Sequence, residues 1–226
     1  MGAPVWKLKK ADIVWLSRHK CNKHNHSYLE HYSCYEKEHP ERQKIGFIDI
    51  ETFSWGFHAD QGLVLCYCIK PQGESKIIGC KIKPKEVTNH RVLDKRVLIA
   101  CVNDMRKFDL LVGFNSTLFD MSFLRVRSMM QNVKFPLYGE INHKDVWYLI
   151  RGKFYALSRK SLERSCKTLV GETEKNHLNF YEWLRAVQGD TKMINKAYDH
   201  CERDVRDLER LYDRTIEFQK GNVTSI

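Results

Sequence analysis

Large apolar residues alternate with acidic ones near residue 50, and this alternation constrains the fold more than any other feature of the chain. Successive side chains of a β-strand leave opposite faces, so Asp49 and Glu51 share one face while Ile48 and Ile50 share the other. Two carboxylates on one face of a buried strand repel each other and are costly to desolvate unless something neutralises them. Hard divalent cations are the usual partner of such oxygen ligands. The segment therefore predicts a buried strand that carries two acids into a metal site.

The pattern after residue 45 predicts an α/β fold. Apolar runs at 45–50, 63–69 and 75–82, separated by short turns, indicate three strands in an antiparallel meander. Helices and strands then alternate, with helices expected at 91–108, 122–130, 161–169, 180–187 and 191–219 and strands at 110–114 and 145–149. Ser161 is a candidate helix cap. We expect a mixed five-stranded sheet with helices on both faces.

The chain divides near residue 45. A length of 226 residues with 42% hydrophobic composition is enough for one substantial core. Residues 1–44 hold five of the ten histidines and show little helix or strand periodicity outside 11–16. We expect a Cys/His-rich amino-terminal segment at 1–44 and one main domain at 45–226.

The amino-terminal segment contains two short pairs of metal-binding residues. In HKCNKHNHSYLEHYSC, Cys21 is followed by His24 after two residues, and His31 is followed by Cys34 after two residues. Thiolate and imidazole ligands, four in number, favour zinc. His26 is an alternative to His24. The competing interpretation is a histidine-rich basic loop that contacts phosphate.

Net charge points to a polyanionic partner. Lys and Arg outnumber Asp and Glu by 38 to 28, which gives a formal charge of +10, yet the acids described above lie where a site is expected. A basic body around an acidic centre suits nucleic acid whose reacting phosphate is held by metal ions. The sequence shows neither a signal peptide nor a membrane span, so we expect an intracellular, cytoplasmic protein with no membrane partner.

Two further acids follow the pattern of a two-metal hydrolase. Asp120 follows the strand that ends at Phe114, and Asp204 lies on the long final helix. Phosphoryl hydrolysis with two metal ions needs several carboxylates converging on cations about 3.5–4 Å apart. Together with the pair on the first strand, these residues could meet at one edge of the sheet.

Three motifs carry a resemblance to a known family. IDIET, NSTLFD and HCERDV resemble, in order, the three exonuclease motifs of the DEDD superfamily, which has an RNase H-like fold. The form is most similar to the 3'-5' exonuclease domains of family B DNA polymerases and their stand-alone relatives, and it extends over residues 45–212.

The resemblance implies that Asp49, Glu51, Asp120 and Asp204 bind two Mg²⁺ or Mn²⁺ ions. It implies a hydrolase that releases nucleoside 5'-monophosphates from the 3' end of DNA, the preferred substrate, or of RNA. It also implies substrate contacts, with Asn115 touching the terminal nucleotide and Phe119 packing beside it. Separate replication or repair proteins are the expected partners, and Asp145 is a further acid near the site.

The third motif departs from the family pattern. Relatives of the polymerase type place a tyrosine four residues before the last aspartate, whereas this chain has His200 there. His200 and Asp204 are one helical turn apart and face the same way. A histidine can orient or deprotonate the attacking water at neutral pH, so His200 is the expected catalytic residue and Tyr198 is an alternative.

Two other functions compete with the exonuclease. The first is a structure-selective endonuclease on the same fold. The second is a zinc-containing nucleic-acid-binding protein with a degenerate acidic site, for which His200 would be the sign of decay.

Overall fold

The centre of the molecule is a mixed six-stranded sheet. The structure, a computed structural model, describes residues 10–39, 43–54, 58–89, 93–218 and 224–225. The strands are β1 (Ile45–Ser54), β2 (Gly62–Pro71), β3 (Ile78–Lys81), β4 (Leu110–Gly113), β5 (Asn142–Asp145) and β6 (Thr224–Ser225). Their order is β3-β2-β1-β4-β5-β6. β1, β2 and β3 are antiparallel, β4 and β5 run parallel to β1, and β6 pairs antiparallel with β5.

Nine described helices accompany the sheet. They are α1 (Lys10–Arg18), α2 (Tyr32–Glu38), α3 (Pro84–Val87), α4 (Lys95–Met105), α5 (Asp120–Met130), α6 (Val146–Lys153), α7 (Leu162–Ser165), α8 (Phe180–Val187) and α9 (Thr191–Thr215). A π-helical turn at Cys166–Val170 extends α7. Short 3₁₀ turns lie at Ala59–Gln61 and Ile216–Phe218.

The two faces of β1 enter different cores, as the alternation in the sequence predicts. Ile48 and Ile50 pack with α4, α5 and the start of α9 in one core. Phe47 faces the other way and packs with β4, α6 and most of α9, including Tyr212. Asp49 and Glu51 share the face of Phe47 and therefore point toward α9.

The longest helix supplies the apolar wall opposite these acids. α9 has 25 residues, and Cys201, Val205, Leu208 and Leu211 recur at helical spacing on its buried face. Asp190 caps its first turn by accepting hydrogen bonds from the backbone N–H groups of residues 192 and 193. His200 and Asp204 lie on this buried face, which carries them to β1.

The predicted α/β class is confirmed, and individual elements differ from the expectation. A sixth, two-residue strand is present. The predicted strand at 145–149 is wrong, because only Asp145 belongs to β5 and the following residues form α6. The run VWYLI has β-type composition, but the Asp145 carboxylate accepts the Trp147 N–H and so caps a helix. The cap predicted at Ser161 is confirmed, since its hydroxyl accepts the Arg164 N–H at 3.3 Å.

The amino-terminal segment has a small core of its own. Leu16, Cys21, Tyr28 and Cys34 are buried there, with aromatic side chains from α1 and α2 around them. Residues 1–9 and 40–42 of the expected segment lie outside the described residues. The same holds for 91 and 92 of the predicted helix at 91–108 and for 219 of the predicted helix at 191–219. Among the helices that the structure describes, none combines the length and apolarity that a membrane span requires.

Candidate active site

Strand β1 delivers the first two acids. Asp49 lies opposite Cys68 and Glu51 opposite Cys66 in the antiparallel pairing with β2. The register shifts between Glu51 and Thr52, and such irregularities bend a strand and redirect its side chains. Both carboxylates are thereby held on the rigid centre of the sheet, where their positions are fixed by backbone pairing.

The loop after β4 delivers the third acid. Asp120 is the first residue of α5, is buried, and its Oδ1 accepts the N–H of Ile50 at 3.1 Å. Ile50 lies between Asp49 and Glu51, so this bond places the Asp120 carboxyl beside the β1 pair. A side chain at Gly113 would meet Ser116 Oγ at 2.1 Å, so only glycine allows the chain to turn there.

Asp145 fixes the shape of that loop. Its Oδ1 accepts the N–H of Asn115 at 2.8 Å and its Oδ2 accepts the N–H of Thr117 at 2.9 Å. Asn115 has a φ of 57°, a left-handed conformation that asparagine tolerates better than most residues. Through these two hydrogen bonds to backbone N–H groups, Asp145 stabilises the loop that positions Asp120.

Helix α9 brings the fourth acid and the histidine. One ligand atom each from Glu51, His200 and Asp204 lies within 4.8 Å of the others. His200 Nε2 is 3.6 Å from Glu51 Oε1. Glu51 is about 150 positions from His200 and Asp204 in the sequence, and it meets them because the buried face of α9 packs on β1.

Three of the four acids have a raised pKa. Burial raises the pKa of Asp49 well above its usual range, and the charges of Asp204 and Asp120 add to the rise. Burial likewise raises the pKa of Glu51, with Asp49 and Asp204 contributing. The pKa of Asp120 rises to about 7, mainly through burial, although its hydrogen bond from Ile50 opposes the rise. This mutual influence shows that all four acids belong to one electrostatic site.

Sequence reasoning missed a lysine in the site. Lys175 Nζ forms an ion pair with Asp204 Oδ2, and its side chain is 20% exposed. Burial lowers the pKa of Lys175, but the charges of Asp204, Asp49 and Glu51 outweigh it and the net pKa is raised. Lys175 is therefore a fixed cation facing the acids.

The lysine reaches the site because a buried acid holds its loop. Asp207 is fully buried on α9. Its carboxylate accepts a hydrogen bond from the Thr173 hydroxyl, and its Oδ1 accepts a second from the Glu174 N–H at 3.1 Å. The N–H of Lys175 in turn bonds to Thr173 Oγ1 at 3.1 Å. A charged loop between two helices gives no sequence signal for this placement; only the spacing of Asp207, three residues after Asp204, hints at it.

The orientation of the histidine is also fixed by this loop. His200 Nδ1 lies 2.6 Å from Asn176 Oδ1, and the Trp183 ring approaches His200 edge-on, with centroids 6.4 Å apart. Burial lowers the pKa of His200, which favours the neutral ring. Tyr198, the alternative, lies elsewhere: its ring packs over β3, where Lys81 Nζ is 5.0 Å from the ring centroid.

The two expected substrate residues lie on the loop beside Asp120. Asn115 is half-buried at the end of β4, and Phe119 packs against Phe123 with ring centroids 5.7 Å apart. Phe119 also lines a cavity of about 320 Å³ together with His58 and Val126. Small-molecule sites are commonly about 300–1,000 Å³.

The acidic site has the properties that divalent cations require. Among the described residues, Asp49 Oδ2 and Asp204 Oδ1 are buried side-chain oxygens with no hydrogen-bond partner. Buried polar atoms are normally satisfied, and these two belong to an all-oxygen carboxylate set, which Mg²⁺ and Mn²⁺ prefer. The donor set therefore fits the cations that the motifs imply.

The amino-terminal cluster also assembles. Ligand atoms of Cys21, His24, His31 and Cys34 lie within 4.8 Å of one another. His26 is not part of this group, although its ring centroid is 6.1 Å from that of His24 and 5.6 Å from that of His31. Of the two histidines left open by the sequence, His24 is the one that the structure groups with the cysteines.

The antiparallel meander extended by parallel strands, with helices on both faces, defines an RNase H-like fold. The model of the RNase_H superfamily matches residues 46–216, and the chain therefore belongs to that superfamily.

The solved structures include a similar chain, the family B DNA polymerase from the hyperthermophilic archaeon Pyrobaculum calidifontis. It aligns with a TM-score of 0.60 and 18% identity over 77% of this chain, and this chain spans only 24% of the polymerase. No curated protein sequence gave a significant match. The resemblance stated from the motifs is confirmed at the level of superfamily and fold.

Proposed function

We propose that this chain is a metal-dependent nuclease that removes nucleotides from the 3' end of DNA. The observation that carries the proposal is the convergence of Asp49, Glu51, Asp120 and Asp204 around strand β1, with two of their buried oxygens lacking partners. The site lies within the matched RNase_H superfamily region. Four carboxylates on rigid elements are costly to bury and are explained by cations that neutralise them.

The four acids would hold two Mg²⁺ or Mn²⁺ ions. Bound there, the ions would supply a nucleophilic hydroxide and stabilise the charge that develops on the scissile phosphate. The carboxylates keep these positions because β1, the capped α5 and α9 are packed elements. Lys175, which forms an ion pair with Asp204, would face a phosphate held by these ions.

His200 is proposed to orient and deprotonate the attacking water. Its Nδ1 donates to Asn176 Oδ1, which leaves Nε2 as the acceptor on the side of Glu51. The lowered pKa keeps this nitrogen unprotonated at neutral pH. Removal of a positioned base typically costs about 10²–10⁴-fold in rate.

The substrate assignment rests on charge and on the cavity that Phe119 lines. The formal charge of +10 favours a polyanion. The cavity lined by Phe119 is a fitting place for a terminal nucleotide, and Asn115 lies at the base of the same loop. DNA is preferred over RNA, with replication or repair proteins as partners.

The division at residue 45 and an intracellular setting are also part of the proposal. β1 begins at Ile45, and residues 10–39 form a separate small core. All eight cysteines are free thiols, as is usual in a reducing compartment.

A labelled-substrate assay tests the function. Single-stranded DNA labelled at its 5' end, the same sequence closed into a circle, and the matching RNA are each incubated with Mn²⁺ or Mg²⁺. We expect stepwise shortening of linear DNA, an intact circle, and no activity in Asp49→Asn. Glu74→Gln, which alters an exposed acid on the turn between β2 and β3, outside the carboxylate cluster and the cavity lined by Phe119, is the matched control.

The other outcomes identify the rivals. Cleavage of the circle would establish an endonuclease. Tight binding without hydrolysis in either metal would establish a degenerate site, in which Lys175 permanently takes the place of a cation. Equal rates for wild type and Asp49→Asn would show that the carboxylates are not the catalytic centre.

A further inference from the structure

We propose that the amino-terminal segment is a zinc module in which Cys21, His24, His31 and Cys34 bind one Zn²⁺. The four residues come from two short stretches that are distant from the acidic site in sequence. Their ligand atoms all lie within 4.8 Å of one another. This site is independent of the nuclease site and of its metals.

The spacing of the ligand atoms matches tetrahedral zinc. Zinc–sulfur bonds of about 2.3 Å and zinc–nitrogen bonds of about 2.05 Å, at tetrahedral angles, place sulfur and nitrogen about 3.5 Å apart. In the structure, Cys34 Sγ is 3.3 Å from His24 Nδ1 and 3.4 Å from His31 Nδ1. Both histidines thus present the same ring nitrogen to one sulfur, as ligands of a common ion do.

The backbone around the first pair forms a tight loop. Lys20 and Ser27 form an isolated antiparallel bridge, and the Cys21 N–H bonds to His26 O at 2.9 Å. The chain reverses through Asn25, whose φ is 56°, and the Asn25 N–H bonds to Cys21 O at 3.0 Å. This turn directs His24 toward the cysteines.

The second pair lies at the start of α2. His31 is the residue before the helix and Cys34 is in its first turn, so both project toward the loop. Glu38, at the end of α2, accepts the N–H of Asn22 at 3.1 Å and the hydroxyl of Tyr28 at 2.9 Å. The helix and the loop are therefore held together around the four ligands.

The hydrophobic core of this segment is too small to explain its fold. Its buried apolar residues, within the described ranges, are Leu16, Cys21, Tyr28 and Cys34, and two of these are the proposed ligands. Segments of this size usually need a metal or disulfides to fold. A disulfide between Cys21 and Cys34 would not explain why the Nδ1 atoms of His24 and His31 both contact Cys34 Sγ.

The chemistry of the set favours a structural role. Two thiolates and two imidazoles complete a four-coordinate shell, so no position remains for water or substrate. The competing phosphate-binding interpretation requires histidines directed outward. His24 and His31 instead point their Nδ1 atoms at a buried thiol, whereas Lys20 and Lys23 are exposed.

Metal analysis tests the proposal. The full chain is expressed with zinc in the medium, dialysed, and its zinc is measured by elemental analysis. We expect about one zinc per chain in wild type, in the matched control His26→Asn and in Asp204→Ala, which disables the acidic site. Cys34→Ser and His24→Asn should lose most of this zinc.

A spectroscopic measurement covers the case in which the cysteine variant does not fold. Wild type freed of zinc by a chelator is titrated with Co²⁺. A tetrahedral site with two thiolates gives intense visible absorption and a thiolate charge-transfer band, both of which should disappear when Zn²⁺ is added.

Three results would overturn the zinc module: wild type without zinc and without this cobalt spectrum, unchanged zinc in Cys34→Ser, or loss of zinc in Asp204→Ala. None of these readouts depends on nuclease activity. The zinc proposal and the nuclease proposal can therefore fail separately.

Discussion

Replacing Asp120 by asparagine should stabilise the metal-free protein at alkaline pH while removing its nuclease activity. Asparagine is nearly isosteric, and its side-chain oxygen can still accept the Ile50 N–H that Asp120 accepts at 3.1 Å. What the change removes is a negative charge that is buried among other carboxylates. In the absence of cations, that charge opposes folding.

The magnitude follows from the pKa of Asp120, which rises from 3.8 to about 7 on folding. A group with a raised folded pKa contributes its full stability below the unfolded pKa and loses it as the pH rises through the folded pKa. A shift of about 3 units at about 1.36 kcal/mol per unit corresponds to about 4 kcal/mol. Wild type should therefore lose this amount between about pH 4 and pH 8, and Asp120→Asn should not.

The assay is urea unfolding of both proteins in buffers without divalent cations, followed by tryptophan fluorescence. The variant should be more stable by about 4 kcal/mol at pH 8 and by less than half of that amount at pH 5. Asp60→Asn, an exposed substitution, should change stability by less than about 0.5 kcal/mol at either pH. A gain independent of pH, or destabilisation at pH 8, would refute the reasoning.

Three other substitutions separate the roles of residues around the acids. Lys175→Met should destabilise the metal-free protein by about 3 kcal/mol, because Asp204 loses its buried partner. Mg²⁺ should restore part of the lost stability, which calorimetry with and without Mg²⁺ would measure. His200→Gln should slow phosphodiester cleavage by about 10²-fold or more in single-turnover assays while leaving Mn²⁺ affinity within a few-fold. Asp207→Asn should loosen the loop that carries Lys175, which would appear as faster hydrogen exchange at residues 172–177 and lower activity; unchanged exchange would contradict the assigned role.

The sequence was most informative where periodicity and chemistry agree. The alternation around Asp49 predicts both the strand and the face on which the acids lie, and the helical spacing of His200 and Asp204 predicts that they face the same way. Both predictions depend only on the side-chain periodicity of one strand or one helix, and this periodicity is determined by local backbone geometry. The convergence of separate elements was inferred from the motifs rather than from periodicity.

What the sequence could not show depends on contacts between distant segments. Lys175 lies in an irregular loop, and its position is set by bonds to Asp207, more than thirty residues later. The strand expected at 145–149 was wrong because Asp145 caps a helix, and this cap outweighs the β-type composition that follows it. The grouping of His24 rather than His26 with the cysteines depends on the three-dimensional turn at Asn25, which the spacing of the histidines does not reveal.

The most direct test is a crystal structure with manganese located by its anomalous scattering. Two peaks should lie about 3.5–4 Å apart among Asp49, Glu51, Asp120 and Asp204, with the Lys175 ammonium moved off Asp204. A crystal saturated with Mn²⁺ that shows no peak at these carboxylates, and in which Lys175 still pairs with Asp204, would contradict the account.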